Sequence, residues 1–153
     1  MNQIDIADLD CIFLTYDEPN KEEFWVKIKN MVPWAKRVDG VKGSDAAHKA
    51  AAMASTTERF ILIDGDTLPD PAFFNQTLHF PTPDYEQAVF RWRARNTING
   101  LMYGNGGLSS WTKTFVQNMQ THENTACVCV CVWVSVFFLL RLRRHRTREV
   151  HWA

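Results

Sequence analysis

The sequence predicts an α/β domain built on a mostly parallel sheet with flanking helices. Three observations carry this expectation. Residues 10–16 (Asp-Cys-Ile-Phe-Leu-Thr-Tyr) and 59–63 (Arg-Phe-Ile-Leu-Ile) are apolar nearly throughout, as strands covered on both faces are. Between them lie two stretches with helical character, so strands and helices alternate along the chain. The length of 153 residues suits about one domain, large enough to bury most of its apolar surface without staples.

The first strand is closed by Asp17-Glu18-Pro19-Asn20, a turn signal. From Lys21 to Val32, the residues Phe24, Trp25, Ile28, Met31 and Val32 recur at helical spacing, and Pro33 marks the stop. Residues 35–39 form a second strand candidate, followed by Gly40 and Gly43. Ser44 as cap and Asp45 in the first turn favour a helix start there, and six alanines between 46 and 54 favour its continuation. The third strand, 59–63, ends at Asp64.

Beyond it the pattern loosens. Pro69 and Pro71 flank Asp70 and introduce a short helix through Phe73, Phe74 and Leu78. Residues 89–95 alternate like a half-buried strand, with Arg91, Arg93 and Arg95 on one face, where they could meet diphosphate charge or solvent. Residues 111–119 read as a further helix.

Net charge is zero, but only as a sum. Residues 1–124 hold 12 Lys and Arg against 16 Asp and Glu, whereas residues 125–153 hold five Arg and one Glu. The acidic first part excludes a dedicated nucleic-acid surface, which needs an excess of cations. Its start carries three aspartates and no basic-then-apolar leader, so the expected location is cytoplasmic by default.

The chemistry concentrates in Ile61-Leu62-Ile63-Asp64-Gly65-Asp66. Parallel sheets bind ligands beyond the carboxyl ends of their strands. Two carboxylates separated by one glycine can share a hard cation with phosphate oxygens. A calcium loop fails, because Leu68 and Pro69 stand where an oxygen ligand and a glycine are required. A metal-dependent phosphatase with Asp64 as nucleophile fits less well, since Thr67 follows Asp66 directly and two β-α units precede the motif.

In its context the hexapeptide resembles the donor-binding half of GT-A fold glycosyltransferases, family 2-like ones above all. The resembling features are the small-residue helix from Ser44 with His48, the apolar strand, Asp64-Gly65-Asp66 and then Leu68-Pro69-Asp70. The resemblance spans about residues 9–124 and is most specific over 43–71. It implies a Rossmann-like nucleotide-diphospho-sugar transferase fold, here incomplete. It further implies Mn²⁺ or Mg²⁺ as cofactor, a nucleotide-diphospho-sugar donor and an acceptor of unknown identity.

Residue by residue, the resemblance assigns Thr15, Asp17 and Glu18 to the nucleobase edge and His48 to the nucleotide, although asparagine is more usual at that position. Asp64 goes to donor and metal, Asp66 to the metal, and Gly106 and Gly107 to the sugar. Those two glycines close the segment 96–107, which holds four glycines and three asparagines. Glycine lets backbone approach a ligand closely; a tight turn between strands is the alternative. His122 would be a late metal ligand and Glu123 the general base, with Asp84 and Glu86 poorer candidates for that base. An inactive remnant or binding module that keeps the nucleotide-sugar fold is the second expectation.

The last 29 residues read differently. Cys127-Val128-Cys129-Val130-Cys131-Val132 lacks zinc-ligand spacing, and it is what alternating TG dinucleotides encode. The apolar run 126–140 is shorter than the usual span of about 20 residues, yet Arg141, Arg143, Arg144, Arg146 and Arg148 follow it as a cytoplasmic flank would. The segment 125–153 is therefore read as a non-native reading frame or as a short membrane anchor; a buried strand is the third reading.

Overall fold

A computed structural model describes residues 2–103, 107–119, 131–133 and 140–141. The expected β-α alternation is present. After a short first strand, β1 (Asn2–Asp5), come β2 (Asp10–Thr15), α1 (Lys21–Met31), β3 (Lys36–Asp39), α2 (Ser44–Ala54) and β4 (Arg59–Asp64). β2 pairs in parallel with β3 on one side and β4 on the other.

The remaining strands are β5 (Thr67–Leu68), β6 (Thr77–Phe80), β7 (Val89–Arg91), β8 (Ala94–Asn96), β9 (Met102–Tyr103), β10 (Leu108–Thr112), β11 (Cys131–Trp133) and β12 (Leu140–Arg141). The main sheet has the order β11-β7-β10-β4-β2-β3. β10 runs antiparallel to both its neighbours, and the other strands of this sheet share one direction. β1 and β6 form a separate antiparallel pair, and β5, β12, β8 and β9 a four-stranded sheet.

Three layers follow from strand geometry, in which successive side chains face opposite ways. Cys11, Phe13, Ile61 and Ile63 point into one cluster with Phe24, Ile28 and Val32, around α1. Trp25 of α1 stacks on Phe13 with ring centroids 6.1 Å apart. Ile12, Phe60 and Leu62 point into the other, against Ala51 and Ala52 of α2 and Val116 of α3 (Lys113–Asn118). The alanines do more than favour helix: with no bulk beyond Cβ, they let α2 lie close to the sheet.

Buried Arg59 sits at the amino end of β4 and donates to the Ser110 hydroxyl (3.1 Å) and the carbonyls of Glu86 and Ala88 (2.7 and 3.0 Å). Its guanidinium faces the rings of Phe90 and Phe80 at 5.0 and 5.4 Å, so π-faces and carbonyls surround this cation. Burial draws its pKa down to about 10.

Four local expectations are corrected. The cap of α2 is Gly43, at φ +94°, with Ser44 already the first helical residue. Residues 69–78 are not one helix: a 3-10 turn over Pro71–Asn75, capped by the Asp70 carboxylate on the Ala72 amide, gives way to β6, which contains Leu78. The stretch 89–95 is not one strand, because the chain leaves the main sheet at Trp92 and enters the four-stranded one at Ala94. Trp92 is fully buried against Phe73, and seating that ring redirects the backbone. Trp111 belongs to β10, and the last helix starts only at Lys113, capped by the Thr112 hydroxyl accepting from the Phe115 amide.

Among the described residues, no helix is long and apolar enough to cross a membrane. Of the final segment only β11 and β12 are described, so the readings of 126–140 as anchor and of 125–153 as a foreign frame lie outside them, as do Cys127 and Cys129. The described free cysteine, Cys11, is buried in the core, which raises its thiol pKa.

Candidate site at the carboxyl edge of the sheet

Strand register gathers the acidic residues at one edge. Thr15 lies beside Asp39 across β2 and β3, and Leu14 beside Asp64 across β2 and β4. All three strands run the same way, so their carboxyl ends share one rim, the place where such sheets bind ligands. β10 enters from that rim because it runs the opposite way, with Leu108 opposite Ile63. Gly107, just before it, is thereby set against Asp64.

That contact is close. The Asp64 amide donates to the Gly107 carbonyl at 2.7 Å. A β-carbon on Gly107 would come within 2.8 Å of Asp64 Cβ and 2.9 Å of its Oδ2, and would overlap the hydroxyl of buried Thr67. Thr67 in turn donates to Asp66 Oδ1 at 3.3 Å. Gly65, between the two aspartates, meets Glu18 in the same way: a β-carbon there would stand 2.5 Å from Glu18 Oε2. The same Oε2 accepts from the Tyr16 amide at 2.7 Å, which holds the Glu18 carboxylate on the turn after β2, beside Gly65. Gly107 is needed for room, whereas the group facing Gly65 is the flexible end of Glu18; neither glycine has a positive φ.

Sequence-predicted residues thus meet here in two contacts, Gly107 against Asp64 and Glu18 against Gly65, with Asp66 two residues beyond Asp64. Asp17 is exposed on the same turn as Glu18. Thr15 is buried, and its hydroxyl donates to Asp39 Oδ1 at 2.5 Å, so it acts on the rim by holding Asp39. Gly106, His122 and Glu123 lie outside the described residues.

His48 occupies a neighbouring position. Its Nδ1 donates to the Ser44 carbonyl at 2.8 Å, since a carbonyl can only accept, and this leaves Nε2 as the acceptor nitrogen of the neutral ring. The imidazole edge meets Trp111 at 5.1 Å, and the Arg91 guanidinium lies over the same indole at 5.3 Å. Burial lowers the pKa of His48 and the charge of Arg91 adds to the effect; the Ser44 carbonyl opposes both. Of the three arginines expected on one face, Arg91 is half-buried at the end of β7, Arg95 is exposed on the other sheet, and Arg93 is exposed in the link between them.

The structure adds residues that the sequence reading passed over. Asp39 accepts from Lys21 Nζ at 2.8 Å as well as from Thr15, and these hydrogen bonds hold its carboxyl below the ordinary range. Arg37 donates to Thr15 Oγ1 at 3.1 Å and forks onto Glu22 at 2.7 and 2.8 Å. The available signal was the strand end itself: Asp39 closes β3 as Asp64 closes β4.

Among the described residues, no three His, Cys, Asp or Glu side chains converge as a ready-made metal cage. The donor set at the rim is the Asp64–Asp66 pair, oxygen ligands of the kind a hard cation takes. Mg²⁺ commonly binds to one or two carboxylates and completes its shell with substrate phosphates and water. By donor chemistry alone, two carboxylates suit a hard cation that completes its shell elsewhere.

No family model and no curated protein matches the chain. Among solved structures, a glycosyltransferase involved in the glycosylation of the major capsid of PBCV-1 aligns with a TM-score of 0.40 and 14% identity. The alignment covers 71% of this chain and 62% of that one, so the chain spans less than two thirds of that protein's length. A likeness this distant leaves the reading of the site to its own geometry and to the sequence.

Proposed function

We propose that the carboxyl rim binds a nucleotide-diphosphate donor together with Mn²⁺ or Mg²⁺, and that the chain is a GT-A-like glycosyltransferase domain moving a sugar to an acceptor hydroxyl. The observation that carries the reading is the apposition of Gly107 and Gly65 to Asp64 and Glu18. Two positions without side chains keep backbone close to a carboxylate pair at the rim where parallel sheets take ligands.

In this reading Asp66 and Asp64 hold the cation, whose chemistry is to neutralise charge on the departing diphosphate. Thr15 and Lys21 fix Asp39 at the nucleoside end, and Glu18 holds the turn after β2 against Gly65. His48, whose Nδ1 is held by the Ser44 carbonyl, takes a hydrogen bond from the nucleotide through Nε2 in this reading. A general base within reach of the acceptor hydroxyl completes the reaction; Glu123 is the residue proposed from sequence.

The test is a panel of nucleoside diphosphates titrated into the full chain with and without Mn²⁺, read by the shift in thermal midpoint. A metal-dependent rise with one nucleotide supports the reading, and no rise with any of them contradicts it. Binding without sugar transfer would favour the second reading, a module that keeps the fold and the donor site alone.

A further inference from the structure

The hairpin of β8 and β9 projects an apolar tip that the donor site does not use. Ile98, Leu101 and Met102 are 66%, 63% and 40% exposed. Arg95 on β8 and Arg93 just before it are also exposed, while Trp92, Ala94 and Asn96 are buried. The surrounding sequence contains no acid: residues 88–122 carry Arg91, Arg93, Arg95 and Lys113 and neither Asp nor Glu. In sequence, then, this stretch is cationic within a part of the chain that is acidic overall.

Four backbone amides of the tip are paired within the hairpin itself. The Asn96 amide donates to the Leu101 carbonyl at 2.9 Å, and the Gly100 amide to the Asn96 carbonyl at 2.8 Å. The Ile98 amide donates to Asn96 Oδ1 at 2.9 Å and the Leu101 amide to Asn99 Oδ1 at 3.1 Å. Gly100, at φ +69°, closes the turn. Pairing amides internally lowers the cost of entering an apolar medium, and the two asparagine side chains do this for Ile98 and Leu101.

We propose that this hairpin docks on an anionic lipid surface, with Ile98, Leu101 and Met102 entering the headgroup boundary and Arg93 and Arg95 meeting lipid phosphates and carboxylates. Apolar side chains that penetrate the interface and cations that stay at headgroup level form the pattern by which proteins lie on membranes without spanning them. The inference does not depend on the donor site. Nor does it depend on the apolar run 126–140, from which the test must separate it.

The experiment is co-sedimentation of the full chain with phosphatidylcholine vesicles, with and without phosphatidylserine, for wild type, Ile98→Ser/Leu101→Ser and Arg93→Ala/Arg95→Ala. Wild type is expected to partition onto the phosphatidylserine vesicles, and less so as salt rises. Losing the two apolar side chains should weaken partitioning about tenfold or more, and each arginine lost about fivefold. All four positions are exposed, and matching thermal midpoints confirm that the variants fold. Equal partitioning of wild type and the apolar variant would assign membrane binding to the C-terminal run and overturn the proposal. Binding indifferent to phosphatidylserine would overturn it too. So would a wild type that pairs with itself through the tip, leaving the serine variant monomeric and neither form on vesicles.

Discussion

Gly107 and Asp64 are bound backbone to backbone, amide to carbonyl at 2.7 Å, with no room for a side chain on the glycine. One residue lies on the segment entering β10 and the other at the end of β4, and the antiparallel entry of β10 is what brings them together. This contact joins the glycine-rich stretch to the acidic pair, and the first prediction rests on it.

Gly107→Ala should move Asp64 or Thr67. Thr67 is buried and the overlap on Asp64 begins at its Cβ, so neither can swing aside by a rotamer change alone. Overpacking of this kind costs about 1–3 kcal/mol. Urea denaturation should show a loss in that range, and metal-dependent nucleotide binding should fall by more than the stability loss explains.

Gly65→Ala is the softer case, because the group it meets is the mobile end of Glu18. The alanine should displace the carboxylate from the Tyr16 amide. In a double-mutant cycle, Gly65→Ala should cost about 1 kcal/mol or more in the wild-type background and clearly less in Glu18→Ala, where the space is vacated. Equal costs in the two backgrounds would show that Glu18 does not hold this turn.

At the other end of β2, burial alone would raise the carboxyl pKa of Asp10. Hydrogen bonds from Lys36 Nζ at 2.8 Å and from the amide and hydroxyl of Thr56 outweigh it and bring the pKa to about 2, from an ordinary 3.8. The folded value lies below the unfolded one, so this stabilisation is fully present above pH 3.8 and is lost as pH falls through about 2. The shift corresponds to about 2 kcal/mol. Asp10→Asn should therefore be less stable than wild type by roughly that amount at neutral pH, and the gap should close in acid denaturation.

What the sequence made legible were the elements whose signal is local. Residues 10–16 and 59–63 are apolar at nearly every position because both faces of β2 and β4 are covered, and the alanines of α2 leave little alternative to helix. Illegible were the consequences of long-range packing. Trp92 looks like one beat of an alternating strand, yet its indole is needed against Phe73, and the chain changes sheets there. Trp111 has helical neighbours in sequence but pairs with Phe60 across β10 and β4. At the site, Asp64 and Asp66 were legible from strand and turn. The contact of Gly107 with Asp64 depends on the direction of β10, that of Glu18 with Gly65 on the turn after β2, and Asp39 depends on the register of β3.

The central claim is that the Asp64–Asp66 pair takes a cation together with a nucleotide diphosphate. The direct measurement is calorimetric titration of the full chain with uridine and guanosine diphosphates, with and without Mn²⁺, beside the same titrations of Asp66→Ala. Binding should require Mn²⁺ in wild type and weaken by at least tenfold, about 1.4 kcal/mol, in the variant. Nucleotide binding of equal strength without the metal, or left unchanged by Asp66→Ala, would contradict it.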